Sequence, residues 1–198
     1  MVKKLETYAK KRKFKETPEP KPKVKSSKSK TIFVIQQHHA SHMHFDFRLE
    51  VEGVLKSWAV PKGPSTDPNI KRLAVLTEDH PYAYATFEGI IPSGYGAGTV
   101  IVWDTGSYQN ITEKNGQKFS MSEAFEHGHI KIILKGKKLK GIFSLLRFKD
   151  NDWLLVKGDD EYADGRCNPV VTEPQSVLSK KTIEALDKKY KKKKGSDE

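Results

Sequence analysis

Eight runs of six to nine residues with strand composition, most of them broken off by Gly, Pro or Asp, constrain this chain more than any other feature. They are TIFVIQQ (31–37), MHFDFRLEV (43–51), VLKSWAV (54–60), RLAVLTE (72–78), TVIVWD (99–104), HIKIILK (129–135), KGIFSLLRF (140–148) and WLLVKG (153–158). Short strands joined by short connections favour a closed barrel or a sandwich over an α/β layer. The expected fold is therefore mainly β, a closed barrel or a sandwich of about eight strands with short flanking helices. Trp58, Trp103 and Trp153 fall inside strand runs and are expected in the core. A short helix is expected at 121–127. A second is expected at 179–191, with Ser179 as its cap and Ile183, Leu186 and Tyr190 at helical spacing.

Charge divides the chain differently from its strands. The formal net charge is +11, yet residues 1–30 hold twelve Lys/Arg against three acidic residues, and residues 180–198 hold eight against four. The strand-rich middle is close to neutral, so the basic charge lies in the tails. Three segments follow. Residues 1–30 are expected as a basic N-terminal helix and flexible arm, 31–178 as the β domain, and 179–198 as a C-terminal helix and basic tail. Basic tails on a neutral domain point to a polyanionic partner. One cysteine, Cys167, admits no intrachain disulfide, and no apolar run reaches transmembrane length. An intracellular, cytoplasmic protein with no membrane partner is expected.

The segment 38–48, HHASHMHFDFR, carries four of the seven histidines within seven residues. In a strand at 43–51 alternate side chains face opposite ways. Met43, Phe45, Phe47, Leu49 and Val51 form one apolar face; His44, Asp46, Arg48 and Glu50 continue the other from His42. Residues two apart on that face lie about 7 Å apart, so His44 and Asp46 can reach one ion. His38 can join them if the chain turns through Ala40-Ser41. Two imidazoles and a carboxylate make a facial set for a divalent transition metal, and an arginine beside it suits a phosphate. Spacing alone leaves a solvated polar face open as the alternative. His39 has the wrong parity, and His42 competes with His38 for space.

The stretches FVIQQHHASHMHFDFRLEVEGVLKSWAVPKGPS and KRLAVLTEDHPYAYATFEGIIPSGYGAGTVIVWDTGSY closely resemble the 3'-phosphoesterase domain of bacterial DNA ligase D. The resemblance runs from LETYAKKRKF and TPEP through WLLVKGDDEYA to PQSVLSKKTIEAL. A chain of this length has no room for ligase or polymerase modules and is expected as a free-standing member. The resemblance implies a single closed β-barrel of about eight strands with short flanking helices, and a metal-dependent DNA 3'-end-healing enzyme, typically using manganese. It would remove a 3'-terminal ribonucleoside and then the 3'-phosphate, leaving a 3'-hydroxyl for end joining. His38, His44 and Asp46 are implied as metal ligands and Arg48 as a phosphate ligand. His80 and Tyr84 are implied as contacts to the scissile phosphate and Glu78 as a supporting acid, with Lys62 and Arg72 completing the set. Implied partners are DNA 3' ends, including primer-templates with terminal ribonucleotides, and a separate DNA ligase and end-binding protein. Two rival readings are a catalytically silent nucleic-acid-binding module that recruits end-joining proteins, and an oxygenase-like metal site.

Overall fold

A computed structural model of the chain describes residues 3–25 and 31–194, with side chains as far as Lys188. The lysine run beyond that residue, part of the expected basic tail, lies outside the described side chains, as residues 26–30 and 195–198 lie outside the described backbone.

Among the described residues, twelve strands form in chain order. These are β1 (Ile32–His39), β2 (Met43–Val51), β3 (Val54–Val60), β4 (Lys71–Leu76), β5 (His80–Pro81), β6 (Gly89–Ile91), β7 (Gly98–Asn110), β8 (Glu113–Lys114), β9 (Gln117–Lys118), β10 (His129–Gly136), β11 (Lys140–Lys149) and β12 (Asp152–Lys157). Eight of them close an antiparallel barrel in the order β1-β2-β3-β4-β12-β11-β10-β7, with β7 pairing back onto β1. The expected eight-stranded closed barrel is therefore present. Its strands coincide with the eight sequence runs, β7 being longer than its run and reaching Asn110.

Alternation along each strand sends one set of side chains inward. Phe33, Ile35, Phe45, Phe47, Leu49, Trp58, Trp103, Phe143, Leu145 and Trp153 meet there and are almost fully buried. All three tryptophans belong to this core, Trp58 and Trp153 meeting edge to face at 5.5 Å. A second apolar cluster lies on the outer wall. Val34, Val54, Leu55 and Val102 are covered there by Leu5 and Tyr8 from the N-terminal segment, Tyr84 and Ala85 from a 3-10 turn at Tyr82–Thr86, and Val177. The barrel thus carries buried residues on both sides of β1, β3 and β7, which explains why those strands read as nearly continuous apolar runs.

Among the described residues, four α-helices flank the barrel: α1 (Glu6–Lys10), α2 (Met121–Glu126), α3 (Pro169–Thr172) and α4 (Ile183–Lys194). Ser120 opens α2 with a capping box, its hydroxyl taking the Glu123 N–H while the Glu123 carboxylate takes the Ser120 N–H. In α4 the capping hydroxyl is Thr182, which accepts the Ala185 N–H, rather than the expected Ser179. Ser179 precedes Lys180, whose φ of +62 takes the chain out of helical conformation before α4 begins. The N-terminal segment lies along the barrel: Tyr8 is fully buried and donates its hydroxyl to Pro20 O at 2.7 Å, and Glu19 is 5% exposed.

One buried carboxylate holds the β10–β11 turn. Asp104 accepts N–H groups from Thr105 (2.9 Å), Lys137 (3.0 Å), Lys138 (3.1 Å) and Leu139 (2.9 Å). A Cβ at Gly136 would lie 2.5 Å from its Oδ2, so the turn needs glycine there. Replacing this carboxylate strands buried donors, each costing on the order of 1 kcal/mol or more. Asp104→Ala is expected to lower the urea-unfolding free energy by about 3 kcal/mol. A loss below about 0.5 kcal/mol would show that the turn does not depend on this anchor.

Candidate active site

The site is built on the outer wall, opposite in parity to the aromatic core. In the β1–β2 hairpin, His38 pairs directly with His44 and Gln36 with Asp46. Those four side chains and Arg48 share the outward face, and the turn through residues 40–42 brings His38 back beside His44, as the third-ligand expectation required. One donor atom from each of His38, His44 and Asp46 lies within 4.8 Å of the others. His38 Nδ1 is 3.7 Å from Asp46 Oδ2, and His44 Nε2 is 3.7 Å from Asp46 Oδ1.

The remaining nitrogens of the two rings decide whether this trio suits a cation. His38 Nε2 lies 3.0 Å from the Gly96 carbonyl, and His44 Nδ1 lies 3.0 Å from the His42 carbonyl. A carbonyl accepts only, so each of these nitrogens carries the proton. The lone pairs then sit on His38 Nδ1 and His44 Nε2, the two atoms turned toward Asp46. Metal-ligating histidines are oriented in this way by backbone carbonyls. The donor set fits a divalent transition metal.

Arg48, 2% exposed, organises what lies behind the trio. It donates Nε to Gln36 Oε1 at 2.8 Å and Nη2 to Asp46 Oδ2 at 2.9 Å, and its Nη1 lies 2.9 Å from His80 Nδ1. Gln36 is fixed in turn by donating Nε2 to the Tyr84 and Phe87 carbonyls. The Tyr84 ring covers the guanidinium at 5.0 Å. Burial tends to raise the Asp46 pKa, but the Arg48 guanidinium beside it outweighs burial and holds this carboxyl well below the usual range.

His80 sits on the two-residue β5, paired with β3, at the end of the 77–79 connection. Its Nε2 lies 3.3 Å from Arg12 Nη2, so both ring nitrogens face guanidiniums. Burial first, and then the charges of Arg48 and Arg12, push its pKa well below the ordinary value. The ring is neutral at pH 7. Arg12 arrives from just beyond α1, with its side chain 4% exposed. It donates to Glu19 Oε1 at 2.7 Å and to Glu78 Oε1 at 3.0 Å. Glu78 also takes Lys11 Nζ at 3.0 Å; burial raises its pKa, and the bonds from Lys11 and Arg12 bring it below the ordinary value. Tyr84 donates its hydroxyl to Glu19 Oε1 at 3.1 Å. Burial, with Glu19 beside it, lifts the phenol pKa far above its usual value, and the hydroxyl stays protonated.

These groups line one cavity of about 310 Å³, which takes in His38, His44, Asp46, Arg48, Glu78, His80 and Tyr84 of the sequence-expected set. Lys62 and Arg72 are not brought to it. Lys62 is exposed in the turn after β3, and Arg72 lies on β4 with the inward parity of Ala74, its Nε without a hydrogen-bond partner. His42 is exposed and contributes its backbone carbonyl, whereas His39 bonds Asp187 of α4 through Nδ1 at 2.8 Å. Reasoning from the sequence missed Arg12, Glu19 and Gln36, whose partners lie up to 68 positions away along the chain. The one local hint was an acidic residue, Glu19, between two prolines inside a strongly basic segment.

A metal-competent trio and two arginines with buried side chains on the outside of a closed barrel make a centre suited to an anionic group. The chain belongs to the DNA Ligase D 3'-phosphoesterase domain family, whose pattern it matches over residues 36–147. It is 48% identical over 190 residues to the multifunctional non-homologous end joining protein LigD of Pseudomonas aeruginosa, a match covering 91% of this chain and 22% of that protein. The corresponding LigD of Mycobacterium tuberculosis is 45% identical over 153 residues, 76% of this chain and 19% of that protein. That of Mycolicibacterium smegmatis is 41% identical over 165 residues, 80% of this chain and 21% of that protein. The chain thus spans about a fifth of the length of these relatives.

The neutral His80 has a consequence for stability. Its folded pKa lies below its unfolded value, so the unfolded chain binds an extra proton once pH drops below about 6.5. Its contribution is complete above that pH and is lost on acidification, at a limiting slope of about 1.4 kcal/mol per pH unit. Between pH 7 and pH 5, urea-unfolding free energy is expected to fall more steeply in the wild type than in His80→Gln. Parallel curves would contradict a neutral, charge-hemmed His80.

Proposed function

We propose that this protein is a metal-dependent DNA 3'-end-healing phosphoesterase. It removes a 3'-terminal ribonucleoside and then hydrolyses the 3'-phosphate, leaving a 3'-hydroxyl for end joining. The observation that carries this reading is the placement of Arg48 against a His38–His44–Asp46 trio whose lone pairs already face one point. His38, His44 and Asp46 would hold manganese or another divalent transition metal. Such an ion supplies positive charge to a phosphoryl oxygen and to the water that attacks phosphorus.

The chain's own residues account for the rest. Arg48, its plane fixed by Gln36 and Asp46, presents a preorganised guanidinium to a non-bridging oxygen, and Arg12 supports a second. In the diesterase step the water oxygen bonds to phosphorus, the P–O5' bond to the terminal nucleoside breaks, and a proton passes to O5'. In the monoesterase step a second water displaces the 3'-oxygen and releases inorganic phosphate. His80 enters both steps neutral, with a single lone pair to accept from a guanidinium, so its part is to hold the arginines in place rather than to act as a cationic acid. Tyr84 keeps its proton and steadies Arg48 with its ring face. Glu78 and Glu19 balance the charge of Lys11 and Arg12.

The substrate class follows from the family and from the basic tails: DNA 3' ends, including primer-templates with terminal ribonucleotides. A ligase activity and an end-binding protein are the proposed partners downstream of such a reaction. The proposed setting is intracellular, at the nucleoid; no helix among the described residues is long and apolar enough to cross a membrane.

The test is a labelled primer-template ending in one 3'-ribonucleotide, with a 3'-phosphate version beside it, incubated with and without manganese. Manganese-dependent conversion to a 3'-phosphate and then a 3'-hydroxyl is expected, reduced about 100-fold or more in His44→Ala. DNA binding without turnover across several divalent metals would contradict the proposal and favour a recruiting module.

A further inference from the structure

The turn Gly94-Tyr95-Gly96 stands at the mouth of the cavity and is held there by the same contact that orients a ligand. Gly94 and Gly96 have φ of +82 and +75, so glycine on each side lets the chain double back at Tyr95. The Ala97 N–H closes the turn on Gly94 O at 3.2 Å, and Gly96 O takes the His38 Nε2 proton at 3.0 Å. Tyr95 is thereby fixed relative to the trio.

Its side chain is an exception at such a site, being 49% exposed while the residues behind it are buried. Lys11 Nζ lies over the ring at 4.1 Å from its centroid, and the hydroxyl donates to Glu78 Oε2 at a long 3.4 Å. Tyr95 also borders a second cavity, of about 320 Å³, lined by Lys11, Lys13, Thr17, Glu19 and Ser93. Arg12, Glu19 and Tyr95 line both cavities, so the two spaces adjoin at these side chains. An exposed aromatic ring braced by a cation, one turn from a phosphate-competent centre, is the arrangement that stacks a nucleobase without reading its sequence.

We infer that Tyr95 is the stacking platform for the base of the 3'-terminal nucleotide, and that the second cavity receives the nucleoside that departs. This rests on the phosphodiesterase reading above and assigns it a subsite. It accounts for the exposure of Tyr95 and for the cavity beyond it, neither of which the chemistry at phosphorus uses. Because every base has a π-face, the subsite recognises the presence of a base and not its identity.

The test compares two primer-templates, one ending in an ordinary 3'-ribonucleotide and one ending in a ribose that lacks its base. The readout is the ratio of kcat/KM for the first to that for the second. In wild type the ratio is expected to be about tenfold; in Tyr95→Ala it collapses to near one, and in Tyr95→Phe it is retained. Tyr95→Phe separates stacking from the Glu78 hydrogen bond, which Phe cannot make. A wild-type ratio near one would overturn the inference. So would a Tyr95→Ala loss shared equally by both substrates, or a Tyr95→Phe loss as large as that of Tyr95→Ala. Failure of the underlying reading looks different: wild type would then shorten neither primer, and the subsite would fall with it.

Discussion

A guanidinium buried on the wall of a β-barrel has to be surrounded by acceptors, and that requirement at Arg48 organises this protein. Stripping water from an arginine is costly unless its N–H groups and its charge are met. Asp46 supplies the charge and Gln36 a neutral acceptor, while the Tyr84 ring closes the top. Each of these residues has a second task. Asp46 is one of the three metal-competent donors, Gln36 ties β1 to the 82–87 segment, and Tyr84 meets Glu19 of the N-terminal segment. The arginine that would hold substrate phosphate is therefore also the residue that joins hairpin, turn and N-terminal segment.

A barrel of this size has an interior just wide enough for side chains to fill. Three tryptophans and four phenylalanines take that space, so the chemistry is placed on the outside. An outer wall would ordinarily meet solvent. Here Tyr8 and Leu5 close one flank with apolar contacts, and Arg12 and Glu19 bring buried charge of both signs to the cavity. Water is thus excluded from behind the substrate face while the mouth stays open at His44 and Tyr95. Low dielectric behind and access in front would strengthen any interaction of the arginines with an anion.

The barrel was legible because strand alternation is local. The runs at 43–51 and 54–60 coincide with β2 and β3 residue for residue, and the parity that placed His44, Asp46 and Arg48 on one face holds. His38 was legible as well, since a short turn fixes which β1 residue faces His44. Burial of that polar face could not be read locally, because its cover comes from residues before position 20 and after position 80. Arg12 reaches His80 and Glu78, and Glu19 reaches Tyr84, through the closed topology rather than through spacing. Lys62 and Arg72 show the converse: a basic side chain near the site in sequence faces elsewhere once strand direction is known. Thr182 in place of Ser179 as the cap of α4 turned on one left-handed residue, Lys180, where a lysine gives no warning of positive φ.

The most direct test of this account is a manganese titration followed by electron paramagnetic resonance, comparing wild type with Asp46→Asn and His38→Ala, with circular dichroism confirming that each variant is folded. If His38 Nδ1, His44 Nε2 and Asp46 share an ion, wild type binds one manganese per chain and both folded variants bind it at least about tenfold more weakly. Undiminished binding in either folded variant would place the metal elsewhere and remove the basis for assigning phosphoester chemistry to this face of the barrel.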